Sequence, residues 1–322
     1  MSLLDNIIKA LSGKNSTESF QRKIAFQKIS DYLVSNKLST IPAVLHKIMA
    51  LANNMKAGAE DYARLCEQDP SSSIRILRLA NSAYYGPQPD FAVRTIKDAI
   101  VRIGFAKARE VINSVVVSNI FKTYGTIADY SPARLWMNSI AVAIGNRAIF
   151  AHDKSKVSPH IDPYLAGLLH NIGIPLLHLC FAQNGFKEAI QKRYDTDGYL
   201  VNTEAEFLEI THPEAGLLVA TKWNLSPEIA GVIAHHHDLG MEEDAVAFLV
   251  HLTRYSQFLA FNAQLGYSDF SAKDVGKYEE SRGYLMLENF DEKRIVSSMQ
   301  REIGAMIQSG WFTSFELDAK RL

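Results

Sequence analysis

What most constrains this chain is the spacing of its apolar residues, which recur at the helical interval along most of its length. Leu45, Ile48, Met49 and Ala52 stand at i, i+3, i+4 and i+7, and Leu165, Leu168, Leu169 and Ile172 repeat the pattern. Such positions share one helix face, and that face is buried most simply against other helices. Alternation of period two is scarce, so the spacing predicts an all-α fold. Helix starts are legible too. Ser131-Pro132, Asp162-Pro163 and Ser226-Pro227 each put a capping oxygen before a proline at the first helical position. Thr95 with Asp98, and Thr211 with Glu214, read as capping boxes. The β-branched run 115–117 suits a strand, but its flanks favour one buried helix.

Turn signals at Gly58, Asp69-Pro70, the run from Gly86 through Pro87 and Pro89 to Asp90, Gly104 and the polar stretch 152–162 divide the chain without a long linker. The polar run 12–19 reads as a joint after a short amphipathic N-terminal helix, whose Leu3, Leu4, Ile7, Ile8 and Leu11 are interrupted by Asp5 and Lys9. No basic segment or cleavage site marks it as a signal peptide, and no membrane span is expected. From Tyr267 onward, charged clusters alternate with a helix phased by Ile295, Met299, Ile303 and Met306, which reads as an appended helical subdomain. Thirty-four Lys and Arg against 35 Asp and Glu leave a formal charge of −1, so no global field draws the protein to nucleic acid or anionic lipid. Cys66 and Cys180 are the only cysteines, which excludes a disulfide framework or thiolate zinc cage and points to a reducing compartment, the cytoplasm by default. There is no P-loop, GxGxxG, GxSxG or HExxH.

The chemistry-bearing feature is a set of histidines: His170, His212 and the triplet His235, His236 and His237. In the helix after Pro227, His236 falls in phase with Ile229, Val232 and Ile233, while His235 and His237 sit about 100° to either side. At most two of the three can point inward together. Imidazoles converging from several helices of a bundle suit a metal site. Hydrogen-bonded histidines that merely cluster are the competing reading.

The segment from Ala166 through His170-Asn171 to Gly173 resembles the His-Asp signature of the HD superfamily of metal-dependent phosphohydrolases, and its surroundings resemble one branch, the HDOD domain. The similarity is carried by Thr40-Ile41-Pro42 with Leu45, the Asp69-Pro70 step, and Asn81-Ser82-Ala83-Tyr84-Tyr85-Gly86. It continues through Thr95-Ile96, Ala99-Ile100, Ile103-Gly104 and Trp136, then His212-Pro213-Glu214-Ala215-Gly216, Trp223, Pro227 and His235-His236. It covers roughly residues 25 to 260 and implies a two-lobed multi-helix bundle with an HD-type helical core. The expected divisions are an N-terminal helix and joint (1–24), an N-terminal lobe (25–125), the HD-like bundle (126–262) and a C-terminal extension (263–322).

The resemblance implies a pocket made of Asn138, His170, Asn171, His212, His235 and His236. A hydrolytic HD site needs carboxylates to neutralise its cation and activate a bound water. Here Asn138 stands at the family's early histidine, Asn171 replaces the aspartate, and residues 245–266 contain no acid where the late aspartate should lie. Asparagine offers only a neutral oxygen. The expectation is therefore a vestigial site with no catalytic residues and no cofactor, in which the remaining imidazoles offer at most a weak divalent site. The related HD-GYP phosphodiesterases carry Gly-Tyr-Pro after the histidine pair, and this chain has none, which disfavours cyclic di-GMP hydrolysis. The expected role is that of a bacterial signal-transduction module acting through signalling-protein partners, without nucleic acid or membrane. The alternative is a metal-dependent phosphohydrolase or phosphodiesterase with reorganised histidine ligands.

A second candidate surface lies between residues 70 and 109, where seven basic residues face only Asp90 and Asp98. Arg75, Arg78, Asn81, Tyr84 and Tyr85 form its expected core, a basic ridge beside an aromatic loop suited to an acidic or phosphate-bearing partner. A plain solvated face is the competing reading.

Overall fold

The computed structural model describes residues 20–35, 47, 51, 58–67, 70–85, 92–120, 125–152, 162–238, 244–269, 271, 275–287 and 290–312. Among these there is no strand, and the β-type pairing is one isolated bridge between Ile127 and Tyr130. The expected N-terminal amphipathic helix, the joint at 12–19 and the loop 86–91 lie outside the described residues.

Helix α1 (Phe20–Ser35) is followed by α2 (Ala59–Glu67), α3 (Pro70–Ala80), α4 (Ile96–Ile103) and α5 (Phe105–Ile120). The 115–117 run lies inside α5, because its side chains are buried among helices and no sheet partner exists among the described residues. Helices α2 to α5 pack on one another, and α5 leans on the following bundle. Although the sequence groups 25–35 with the N-terminal lobe, α1 packs on two helices of that later bundle. Its Phe26, Ile29 and Leu33 are wholly buried, and Arg22 pairs with Glu214.

The bundle comprises α6 (Pro132–Phe150), α7 (Pro163–Leu169), α8 (Gly173–Phe181), α9 (Phe186–Thr196), α10 (Leu200–Leu208), α11 (His212–Lys222), α12 (Pro227–His235) and α13 (Asp244–Asn262). Three start as their sequences dictate: Ser131, Asp162 and Ser226 accept from the N–H groups of Arg134, Leu165 and Ile229. Glu214 completes the α11 start by accepting from the Thr211 N–H at 2.8 Å. At α4 the reciprocal bond is different, since Asp98 accepts from the Thr95 hydroxyl. Every residue of α6 from Met137 to Asn146 is buried, so this helix is the axis around which α7, α13 and the last helix pack. The apolar stretch Pro163–Phe181 is long and apolar enough to cross a membrane, yet 89% of it is buried inside the protein and it breaks into α7 and α8 at His170.

Helices α14 (Val275–Tyr284) and α15 (Glu292–Gln308) complete the described chain. The extension is not a separate body. α15 lies against α6 and α13, with Met299, Ile303 and Met306 buried as the sequence phase predicts. Its Glu302 joins a buried charge network in which Lys107 of α5 and Arg147 of α6 each pair with both Glu110 and Glu302.

Candidate metal centre

His170 and Asn171 sit in the turn between α7 and α8, where Gly173 lets that turn touch α11. A Cβ at Gly173 would fall 1.9 Å from the carbonyl oxygen of His212, closer than any side chain allows. Gly173→Ala is therefore expected to push α8 from α11 and to destabilise the fold by at least about 2 kcal/mol, read as a lowered urea midpoint.

His212 opens α11. Glu204 of α10, wholly buried, accepts from its backbone N–H at 2.8 Å and lies 2.7 Å from its Nδ1. That contact puts the ring proton on Nδ1 and turns the Nε2 lone pair inward. His236 caps the end of α12, with Nδ1 3.1 Å from the carbonyls of Val232 and Ile233, so its Nε2 lone pair also faces inward. His237 follows in the turn beyond the helix end, which frees it from the 100° phase, and its Nε2 lies 3.0 Å from that of His212. The fourth group is Asp269, 1% exposed, delivered by the segment after α13. Its Oδ2 stands 2.8, 3.5 and 3.8 Å from Nε2 of His237, His212 and His236, and no aligned hydrogen bond reaches it.

These four donor atoms lie within 4.8 Å of one another. A tetrahedral zinc with bonds of about 2.0–2.1 Å sets its ligands about 3.3 Å apart. The separations from His212 and Asp269, 2.8 to 3.8 Å with His212 to His236 at 3.3 Å, bracket that value. Without a proton or a cation, inward lone pairs would repel one another. His236 sharpens the point, because its Nε2 also faces Asn171 Oδ1 at 3.1 Å, an acceptor opposite an acceptor. The donor set thus fits a divalent ion held by His212, His236, His237 and Asp269.

The electrostatics agree. Burial pushes His236 down to about 3 and His237 down to about 4, holding both imidazoles neutral as ligands must be. Burial opposes charge on Asp269 as well, but the three histidines outweigh it and keep its carboxyl well below the usual carboxylate range. His212 is the exception. Burial lowers it, yet Glu204 and Asp269 together push it up to about 9, so in the ion-free cluster it carries the shared proton.

Several expectations are corrected here. The pocket does contain carboxylates: Asp269 lies three residues beyond the acid-free stretch 245–266, and Glu204 comes from a helix no motif marked. His237 turns inward and His235 stays partly exposed, because α12 ends at His235 and the next residues no longer follow helical phase. His170 lies edge-on to His236, ring centroids 5.2 Å apart, with Nδ1 2.6 Å from the Gly167 carbonyl and Nε2 lacking a hydrogen-bond partner. It belongs to the wall of the cluster rather than to the four donors. Neither asparagine is idle. Asn171 donates to Asp269 Oδ1 at 3.0 Å, and Asn138 donates to the Leu265 carbonyl at 3.3 Å in the turn that leads to Asp269.

The ridge between residues 70 and 109 is in large part paired within the molecule, although Arg78, Arg94 and Lys97 stay exposed. Lys97 pairs with Glu60, Arg102 donates to the Ala80 carbonyl, Lys107 enters the buried network, Arg109 approaches Asp162 and Arg75 stacks on Trp311. Asn81 is a clasp rather than a helix cap, since its amide exchanges two hydrogen bonds with the backbone of Val93 at 2.8 and 2.9 Å. Asn81→Ala is expected to release that loop at a cost of about 1–2 kcal/mol, seen as faster amide exchange at Val93. Arg78 and Tyr84 remain exposed, with Tyr85 packed edge-on to Tyr84. Arg78 and Asn81 line a cleft of about 620 Å³ between α3 and the end of α15.

Comparison with known proteins places this architecture. A protein of Treponema pallidum (strain Nichols), itself uncharacterised, is 24% identical over an aligned length of 209 residues, with 62% of this chain covered; the chain spans only 37% of that relative's length. The crystal structure of an HDOD domain protein of unknown function from Geobacter sulfurreducens superposes with a TM-score of 0.69 at 22% identity, covering 90% of this chain and 98% of that one. A Marinobacter aquaeolei VT8 protein, provisionally described as acting in signal transduction, gives 0.73 at 18% identity over 96% of this chain and 68% of its own. At these identities the structures attest the shared fold. The family model described as the HDOD domain matches residues 38–239, well over half of the sequence, and the chain belongs to the HDOD domain family.

Proposed function

We propose that this protein is a regulatory HDOD module that works by binding a protein partner and holds one divalent ion in its core without hydrolysing phosphoesters. The observation that carries the reading is the closure of the donor set. Three imidazoles and one carboxylate supply all four corners of a tetrahedral site, the pattern of structural rather than catalytic zinc, which keeps a position open for water. His237, with 18% of its side chain exposed, is the one donor that reaches solvent. A bound ion would supply Lewis acidity. Glu204 fixes the His212 ring, and Asn171 engages Asp269 Oδ1 so that Oδ2 faces the imidazoles. The partner surface in this reading is the exposed end of α3, with Arg78 and Tyr84. The Marinobacter protein's provisional description is in keeping with a signalling role.

The second reading, a phosphohydrolase with reorganised ligands, draws on Asp269, the acid that the sequence reading lacked. One experiment decides between them. Protein purified without an affinity tag is analysed for metal and screened against phosphomonoesters and phosphodiesters. The expected outcome is close to one divalent ion per chain and no turnover. Turnover that disappears in His212→Ala would establish the enzyme instead, and absence of any metal would remove the ion from either reading.

A further inference from the structure

Asp269 lies outside any helix, on a segment whose position has to be set by other parts of the molecule. On one side the segment rests on α6. Gly266 has φ +93°, and a Cβ there would fall 2.2 Å from the Arg134 carbonyl oxygen; Tyr267 N–H donates to that carbonyl at 2.8 Å. On the other side stands α9. Arg193, 6% exposed, sends one guanidinium nitrogen to the Ser268 carbonyl at 2.8 Å and the other to Asp129 at 2.9 Å, and its Cζ lies 5.4 Å from the centre of the Tyr267 ring. Beyond Asp269, the Ser271 hydroxyl donates to the Asp197 carbonyl just past the end of α9 at 3.0 Å. Ser268, just before the ligand, and Ser271, two residues after it, are therefore tied to one helix and its C-terminal end.

We propose that Arg193 is the positioning residue of the metal centre: by holding the Ser268 carbonyl and the Tyr267 ring while anchored to Asp129, it fixes the backbone that presents Asp269 to the three imidazoles. This rests on the metal-binding reading above. The physical reason is that a single carboxylate must arrive within a few tenths of an ångström of a shared point, and a chain outside regular structure does so only when its peptide groups are fixed. Only a planar fork suits the task. A guanidinium reaches two acceptors in different directions while stacking on a ring, whereas an ammonium on a flexible stem holds one geometry poorly. α9 and α10 then act as one support, since Arg193 sets Asp269 and Glu204 sets His212.

The test uses the full, untagged chain as wild type, Arg193→Lys, Arg193→Gln and Asp129→Asn. Zinc affinity is measured by competition with a chromophoric chelator, and the cobalt-substituted protein is examined by its visible ligand-field bands. Arg193→Lys and Arg193→Gln are expected to weaken zinc binding about 10- to 100-fold and to reduce the cobalt bands as the fourth ligand is lost. Asp129→Asn, which keeps the guanidinium and loosens its anchor, is expected to weaken binding only about two- to threefold. A purely structural arginine would lower the melting temperature and leave affinity and cobalt bands unchanged, and that result overturns the proposal even if Arg193→Gln fails to fold and Arg193→Lys alone is measured. Wild-type protein that takes up neither zinc nor cobalt would overturn the metal-binding reading itself, and this proposal with it.

Discussion

Replacing Asp269 by alanine is expected to lower divalent-metal affinity by roughly two orders of magnitude. Four-ligand structural zinc sites are worth about 10–16 kcal/mol at neutral pH, so one ligand of four carries roughly 3 kcal/mol, about a hundredfold in Kd. The carboxylate counts for more than its share, because it is the only formally anionic donor among the four. Asp269→Asn keeps the shape and removes the charge, and should fall between wild type and alanine. Titration with a competing chelator measures all three. Equal affinity in wild type and Asp269→Ala would show that the histidines bind elsewhere or not at all. Ion-free stability should fall as well: without Asp269 the shared proton on His212 loses a partner while Glu204 remains, so the apo protein is weakened but still folded.

Glu302→Ala is expected to destabilise the fold by about 3 kcal/mol, the scale set by leaving a buried charge without its partner. Lys107 and Arg147 would face Glu110 alone, and the tie between α15, α5 and α6 would be lost. Burial works against an ionised Glu302, but Lys107 and Arg147 outweigh it and hold its carboxyl below the usual range. The sign follows. Because the folded value lies below the unfolded one, the contribution is fully present above the ordinary glutamate range and is lost as pH falls through the folded value. Urea unfolding followed from about pH 7 to well below the ordinary glutamate range, about pH 2, should show wild-type stability declining with acid more steeply than that of Glu302→Gln. Parallel declines would mean that the network contributes nothing through this carboxyl. A loss well under 1 kcal/mol for Glu302→Ala at about pH 7 would make α15 an appendage.

Much of the fold is local physics and could be read directly. The caps at Ser131, Asp162 and Ser226 begin their helices because an oxygen before proline satisfies N–H groups that have no other partner, and the phase of Ile295, Met299, Ile303 and Met306 foretold the buried face of α15. The site was legible only in part. His170, His212 and His236 are marked by their place near helix ends and Asn171 by the resemblance to the HD signature, and all four meet. Asp269 carries no helical mark, because it lies seven residues past the end of the helix that follows the histidine pair. The signal available was a lone acid among the apolar and small residues Leu265, Gly266, Tyr267, Ser268 and Phe270. Glu204 carried no comparable mark, as a glutamate in a helix is ordinarily a solvated one.

The order of residues by itself determined an all-helical chain and its capped helix starts, because each depends on neighbours within one or two turns. Which of His235 and His237 turns inward, which acid completes the cluster, and whether the basic ridge is exposed or spent were decided only by tertiary structure. Those outcomes depend on where a helix stops and on what a distant segment brings to within about 3 Å, the distance at which hydrogen bonds and metal bonds select their partners.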